Sequence, residues 1–287
     1  MNSRPRMLLV GGLDPSVGAG VLLDAFVAAR LGFQPVVVTT VVTAQDSAEW
    51  YGSEVVGEEA VRGQLRAAAA DGSLAGVKIG ALGSTANARI IAEALRAWHP
   101  PAVVVDPVIE SSSGGALADR AAVGELFPLA DVVTPNAAEA LLLAGTGPDV
   151  GAAAALLAER RRGDVLVTGL PADAGHAADL LVAPDGTSTT LVHECLEGIG
   201  DPRGTGCMFS TALACRLAGA VEGGEARSRP KDAVRLAQQD LVALLRSVAR
   251  IGRGRLQVDL AAALLTAPPQ VLDQCHQQAT SNAEASR

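Results

Sequence analysis

The stretch Met7-Leu8-Leu9-Val10-Gly11-Gly12-Leu13-Asp14-Pro15-Ser16-Val17-Gly18-Ala19-Gly20-Val21-Leu22-Leu23-Asp24-Ala25-Phe26-Val27-Ala28-Ala29-Arg30-Leu31-Gly32 decides the fold. Its first apolar run is unbroken by charge and ends at two glycines, the pattern of a strand covered on both faces. We read residues 7–12 as that strand. A turn rich in Pro, Ser and Gly follows. Residues 21–31 then carry apolar side chains at helical spacing and stop at Gly32, as helices commonly do. The next run, Pro35-Val36-Val37-Val38-Thr39-Thr40-Val41-Val42, is β-branched and reads as a second strand.

Working outward, the same alternation repeats. Further strands are expected at 76–79, 102–106, 131–134, 164–168, 179–183 and 188–192. Helical patterns fall near 58–70, 84–98, 136–144, 151–161, 205–219 and 230–249. Strand and helix alternating this often predicts an α/β fold, a central, mainly parallel sheet with helices on both faces. Residues 266–287 lose apolar periodicity and are expected to form a mobile, solvated tail.

Composition removes several classes of function. The chain has 287 residues, 49% hydrophobic and 19% charged, with a mean hydropathy of +0.28. Disorder is excluded by the apolar fraction. Every candidate membrane run is broken by Arg, Asp, Gly or Pro, so no membrane span is expected. Aromatics make up 2% and the net charge is −8, which argues against nucleic acid as a partner. Cys195, Cys207, Cys215 and Cys275 lack C-x-x-C spacing, and the N-terminal apolar run is too short for a signal-peptide core. A cytoplasmic, reduced protein is the expectation.

Parallel sheets of this kind bind ligands at the carboxyl ends of their strands. Polar and glycine clusters stand at those ends: Gly12-Leu13-Asp14-Pro15-Ser16 with Gly18-Ala19-Gly20, Thr43-Ala44-Gln45-Asp46, Lys78-Ile79-Gly80, Val105-Asp106-Pro107-Val108, and Thr134-Pro135-Asn136 with Glu139. A last cluster, Arg203-Gly204-Thr205-Gly206-Cys207, opens a long helix. Gly204, Thr205 and Gly206 would aim free backbone N–H groups at an anion, aided by the helix dipole. Cys207 in the first turn is expected to have a lowered thiol pKa and to accept a proton from an attacking hydroxyl. A plain glycine turn with a buried cysteine is the alternative.

Asn136 and Glu139 lie three apart on one helical face. Together they suit a hydrated Mg²⁺ beside nucleotide phosphates, or simply complement the helix N-terminus. Gln45 could make a two-point hydrogen bond to an aminopyrimidine edge, or be a solvated loop amide. Asp24, inside a helix, reads by spacing as exposed. Other matches carry little. Gly145-Thr146-Gly147-Pro148-Asp149-Val150-Gly151 follows a helical run, not a strand, and reads as a helix stop. There is no Walker A loop and no G-x-S-x-G elbow. His99, His176, His193 and His276 have no metal-ligand spacing.

In their order along the chain, these clusters resemble the hydroxymethylpyrimidine and phosphomethylpyrimidine kinases of thiamin biosynthesis, within the ribokinase-like superfamily. The resemblance runs from about residue 7 to about residue 250. It implies one ribokinase-like domain over 7–265, with ATP and Mg²⁺ as cofactors, a small pyrimidine as substrate, and a homodimer. It places Gly12, Asp24, Gln45 and Val108 around the aminopyrimidine, and Gly204, Thr205 and Gly206 around the transferring phosphoryl group. Cys207 matches the catalytic base, and Asn136 and Glu139 match the Mg²⁺-organising motif. Four places depart from the pattern. Ala81 stands where Met is common after Lys-Ile-Gly, and Ile109-Glu110-Ser111-Ser112-Ser113-Gly114 lacks the Lys that commonly precedes Ser-Gly. Thr168-Gly169-Leu170-Pro171 stands where the family usually reads Lys-Gly-Gly-His, so Thr168 takes the nucleotide-side position. Arg203 stands where His is common, and is expected to serve as a substitute phosphate-side cation. Pyridoxal kinase and a weakened pyrimidine-binding sensor are the alternative functions.

Overall fold

The computed structural model describes residues 4–109, 115, 117, 120–161, 163–222 and 230–266. β1 (Arg6–Leu13) leads through a glycine-rich loop into α1 (Gly20–Arg30) and then β2 (Gln34–Gln45), the unit read from the opening stretch. β3 (Trp50–Val55), α2 (Glu58–Ala70), β4 (Gly76–Ile79), α3 (Thr85–Trp98) and β5 (Val103–Val105) follow. Then come α4 (Arg120–Leu126), β6 (Val132–Val133), α5 (Ala137–Ala144), α6 (Val150–Arg161) and β7 (Asp164–Pro171). β8 (His176–Val182) and β9 (Ser188–Glu194) form a meander with β7, and α7 (Thr205–Glu222), α8 (Pro230–Leu245), β10 (Val248–Ala249), β11 (Gln257–Val258) and α9 (Leu260–Leu265) complete the described chain.

Among the described residues, nine strands make one sheet in the order β3-β2-β1-β4-β5-β6-β7-β8-β9. The six from β2 to β7 run parallel, while β3 pairs antiparallel with β2 at one edge and β8 and β9 are antiparallel at the other. β1 is the reason both faces must be covered. Leu8 and Val10 enter the core beneath α2, α3, α4, α5 and α6, while Met7 and Leu9 enter the core beneath α1, α7, α8 and α9. All four side chains are 0% exposed. Each contributes about 1.5–3 kcal/mol by leaving water, which is why the run reads as uninterrupted apolar sequence.

β2 lies on one side of β1 and β4 on the other. The strand order therefore reverses at β1 and opens a crevice at its carboxyl end. Gly145 closes α5 in the left-handed conformation, as the helix-stop reading of the 145–151 glycines requires. Four features were not expected. β3 and α4 are short, and α9 has six residues, too few to show a period. The helix expected over 230–249 ends at Leu245, and its last residues pair instead as β10 with β11. Of the expected tail, only Thr266 is among the described residues.

Candidate active site

A cleft of about 670 Å³ opens at the carboxyl ends of the parallel strands, closed on one side by the N-terminus of α7. Glycine is required where its loops touch. Gly20 has φ +68°, and a Cβ there would lie 2.2 Å from the Gly12 carbonyl oxygen. Gly204 has φ +77°, and its Cβ would lie 2.3 Å from the Gly18 carbonyl oxygen. The loop after β1 and the loop before α7 thus pack backbone against backbone, a distance no other residue allows. The first α7 hydrogen bond runs from Met208 N–H to Gly204 O at 2.9 Å. The N–H groups of Thr205, Gly206 and Cys207 precede it in the helix and have no intrahelical acceptor. All three residues line the cleft.

Beneath these amides sits a buried ionic cluster. Lys78 Nζ, from the end of β4, donates to Asp24 Oδ2 at 2.8 Å and lies 3.9 Å from Asp106 Oδ2 at the end of β5. Thr211 Oγ1 donates to Asp24 Oδ1 at 2.9 Å, and Ser210 Oγ donates to Asp106 Oδ2 at 3.0 Å. Asp24 is 1% exposed, so its place on the α1 face turned inward overturns the exposed reading. Burial pushes the carboxyls of Asp24 and Asp106 up, with Lys78 opposing. For Lys78, burial favours the neutral amine, but the negative charges around it outweigh this and its pKa is raised. Lys78 is the cation shared by the two acidic side chains.

Cys207 departs from expectation. Burial pushes its thiol up to about 12, with Lys78 lowering it and Asp24 and Asp106 raising it. The helix N-terminus does not offset the loss of water. The residue rests as a thiol, not a thiolate.

Arg203 departs further. It does not line the cleft and is 1% exposed. Its Nη2 donates to Asp14 Oδ2 and to Gln45 Oε1, each at 2.9 Å, and its Nη1 donates to Ser16 Oγ at 2.7 Å. A guanidinium committed to three partners of its own chain is no phosphate-side cation, and that role is withdrawn. Among the described residues, the basic ones that line the cleft are Lys78 and Arg255, the latter paired with Asp201 at the rim.

Gly12, Gln45 and Val108 line the cleft. Val108 packs with Val41, Ala81, Leu117 and Trp50 as its apolar wall. Gln45 is 9% exposed, not a solvated amide. Asn136 and Glu139 form a capping box on α5. Asn136 Oδ1 accepts from Glu139 N–H and Glu139 Oε2 accepts from Asn136 N–H, both at 2.9 Å. This is the complement to the helix N-terminus, and both side chains also face the cleft. Burial, then the charge of Asp106, pushes Glu139 up to about 7. Thr168 lies beside Asn136, its N–H donating to Pro135 O at 2.9 Å. The residues assigned no individual role from sequence are Lys78, Asp106, Asp14, Ser210, Thr211 and Arg255. Of these, Asp14, Lys78 and Asp106 carried the strand-end signal, Lys78 also as one of two lysines in the chain, while Ser210, Thr211 and Arg255 carried none.

Among the described residues, five acidic and two basic side chains belong to residues lining the cleft. Among the described residues no group of three or more His, Cys, Asp or Glu is arranged to hold a metal. That donor set fits a cation such as Mg²⁺ that keeps most of its waters and shares its remaining positions with bound phosphates.

The phosphomethylpyrimidine kinase family model matches residues 14–259. The chain belongs to this family. It is 37% identical over 233 residues to a hydroxymethylpyrimidine/phosphomethylpyrimidine kinase of Rhizobium meliloti, covering 78% of this chain and 86% of that one. A phosphomethylpyrimidine kinase from Clostridium difficile has a TM-score of 0.66 and 28% identity, over 83% of this chain and 98% of that one. The pyridoxal kinase of Staphylococcus aureus in complex with AMP-PCP and pyridoxal has a TM-score of 0.76 and 25% identity, over 91% of this chain and 95% of that one. Against larger thiamine-biosynthesis relatives the chain spans 40% and 30% of their length. The nine-stranded sheet is therefore a ribokinase-like kinase fold.

Proposed function

We propose that residues 7–265 form one kinase unit that transfers the γ-phosphoryl group of ATP to the hydroxymethyl group of 4-amino-5-hydroxymethyl-2-methylpyrimidine, and then phosphorylates the monophosphate. The α7 N-terminus carries this reading. Its amides without an intrahelical acceptor and Cys207 line the same cleft as Gln45 and Val108. Phosphoryl transfer demands mainly positioning and charge neutralisation, which this arrangement supplies.

Gln45 and the Val108 wall hold the ring, so that the hydroxymethyl group points toward Cys207. Amides of residues 204–207 receive the negative charge of the transferring group. Cys207 takes up the hydroxyl proton, which requires the thiol to ionise, and Lys78 and the Gly20 backbone N–H work in that direction. Asn136 and Glu139 would hold Mg²⁺ at the phosphates, with Thr168 on the nucleotide side. When bound, Mg²⁺ neutralises phosphate charge as the bond to the leaving oxygen breaks. The AMP-PCP complex of the Staphylococcus aureus relative supports ATP as donor. We further propose a cytoplasmic homodimer, to be checked by light scattering. No described helix is long and apolar enough to cross a membrane.

The likeness to pyridoxal kinase favours one alternative substrate. Purified protein with ATP and Mg²⁺ is therefore offered the hydroxymethylpyrimidine, its monophosphate and pyridoxal separately, with products read by mass spectrometry. Monophosphate and diphosphate pyrimidines are expected. Pyridoxal phosphate alone would move the assignment to pyridoxal kinase, and pyrimidine binding without product would indicate a sensor.

A further inference from the structure

Gln45 is held by two groups that leave its amide no choice of orientation. The hydroxyl of Thr43 donates its single proton to Leu13 O at 3.0 Å. Toward Gln45 it can therefore only accept, and it accepts from Nε2 at 2.9 Å. On the other side, the Arg203 guanidinium has donors and no acceptor, and its Nη2 donates to Gln45 Oε1 at 2.9 Å. Exchanging the amide oxygen and nitrogen would set donor against donor and acceptor against acceptor. Arg203 is itself pinned by Asp14 and Ser16, and its backbone N–H donates to Leu256 O at 2.8 Å.

An amide has two N–H groups and two carbonyl lone pairs. After these contacts, Gln45 retains one N–H and one lone pair, and the residue lines the cleft. We infer that Arg203 is a positioning residue that sets substrate specificity, by locking Gln45 to read a ring edge carrying a donor beside an acceptor. This deepens the function proposed above and rests on it. The 4-amino group and ring N3 of the aminopyrimidine present that edge. A 4-oxo pyrimidine, with C4=O beside N3–H, presents the reverse. Pyridoxal, overlaid on its hydroxymethyl group, sets a carbonyl where the amino group would stand and is mismatched there, although its ring hydroxyl can accept at the second position.

The test compares 4-amino- and 4-oxo-5-hydroxymethyl-2-methylpyrimidine. Binding is measured by calorimetry, and turnover by product mass. The natural chain should prefer the 4-amino compound by about a hundredfold or more, as sites that hydrogen-bond their ligand do. Arg203→Met removes one of the two groups that hold the amide and leaves Oε1 without its donor, and that preference should fall at least about tenfold through KM, with kcat and the KM for ATP nearly unchanged. Arg203→Lys, still donor-only, should restore most of it. If Arg203→Met does not fold because Asp14 is left buried without a cation, the Asp14→Asn/Arg203→Met double variant carries the same expectation.

An undiminished preference in either folded variant overturns the inference. A larger KM for ATP with pyrimidine binding unaltered would overturn it too, returning Arg203 to the phosphates. Preferential binding without product in the natural chain would overturn the kinase reading and leave the lock standing. Binding of neither pyrimidine would overturn both.

Discussion

Lys78 Nζ lies 2.8 Å from Asp24 Oδ2, joining β4 to α1 through a pair in which both side chains are 1% exposed. Asp106 lies 3.9 Å away on the far side of the ammonium, so one cation serves two buried carboxylates. Removing it leaves both uncompensated. Lys78→Met should cost about 3–5 kcal/mol of stability, the range for breaking a buried pair from one side. Asp24→Asn/Lys78→Met should recover part of that loss, because one buried charge goes with its partner. Urea unfolding of the two variants checks this. Equal destabilisation of both would show that the ammonium does not bear on Asp24.

The raised thiol pKa of Cys207 sets the sign of a pH profile. A group that must lose its proton before it can accept one gains active form as pH rises toward its pKa. With that pKa pushed up to about 12, log kcat should climb through the neutral and mildly alkaline range without a plateau. Cys207→Ala should lower kcat by about 10²–10⁴, the usual worth of a positioned proton acceptor, and flatten the climb. A variant as active as the natural chain removes Cys207 from the reaction.

Gly204 tests the amide cradle separately from the thiol. Its φ of +77° and the 2.3 Å that would separate a Cβ from Gly18 O mean that Gly204→Ala must move one loop off the other. The loss of stability should exceed about 1 kcal/mol, and kcat should fall because the N–H groups are re-aimed. Gly206→Ala is the control, since its nearest neighbour would be Asp106 Oδ2 at 3.9 Å. Thermal melting and kcat of the pair decide the matter. Equal behaviour would mean that the close approach of Gly18 and Gly204 places nothing.

Much of the fold was legible because burial on both sheet faces writes itself as uninterrupted apolar runs. Met7 to Val10 is the clearest case. β3, α4, α9 and the β10–β11 pair were not legible, since two to seven residues do not complete a period that pattern reading can detect. Candidate residues were found where they stood at strand ends or at a helix start, as with Gln45, Asn136, Glu139 and the Gly204–Cys207 turn. Asp24 shows the limit. The structure places it on the buried face of α1 with Val21, Val27 and Ala28, and only a cation from another strand makes that place tolerable for a carboxylate.

The sequence by itself determined the βαβ frame, the family, and the set of loops at the carboxyl ends of the strands, because these follow from local periodicity and from glycines needed at short range. Only the tertiary structure decided what Arg203 and Cys207 are. Arg203 meets Asp14 across 189 residues and Gln45 across 158, and Cys207 is set beside Lys78, Asp24 and Asp106, all distant in sequence. A charge in sequence is a candidate for any anion. Which anion it neutralises, and whether a thiol keeps its proton, depends on distances and on solvent removed, and neither is written in the order of residues along the chain.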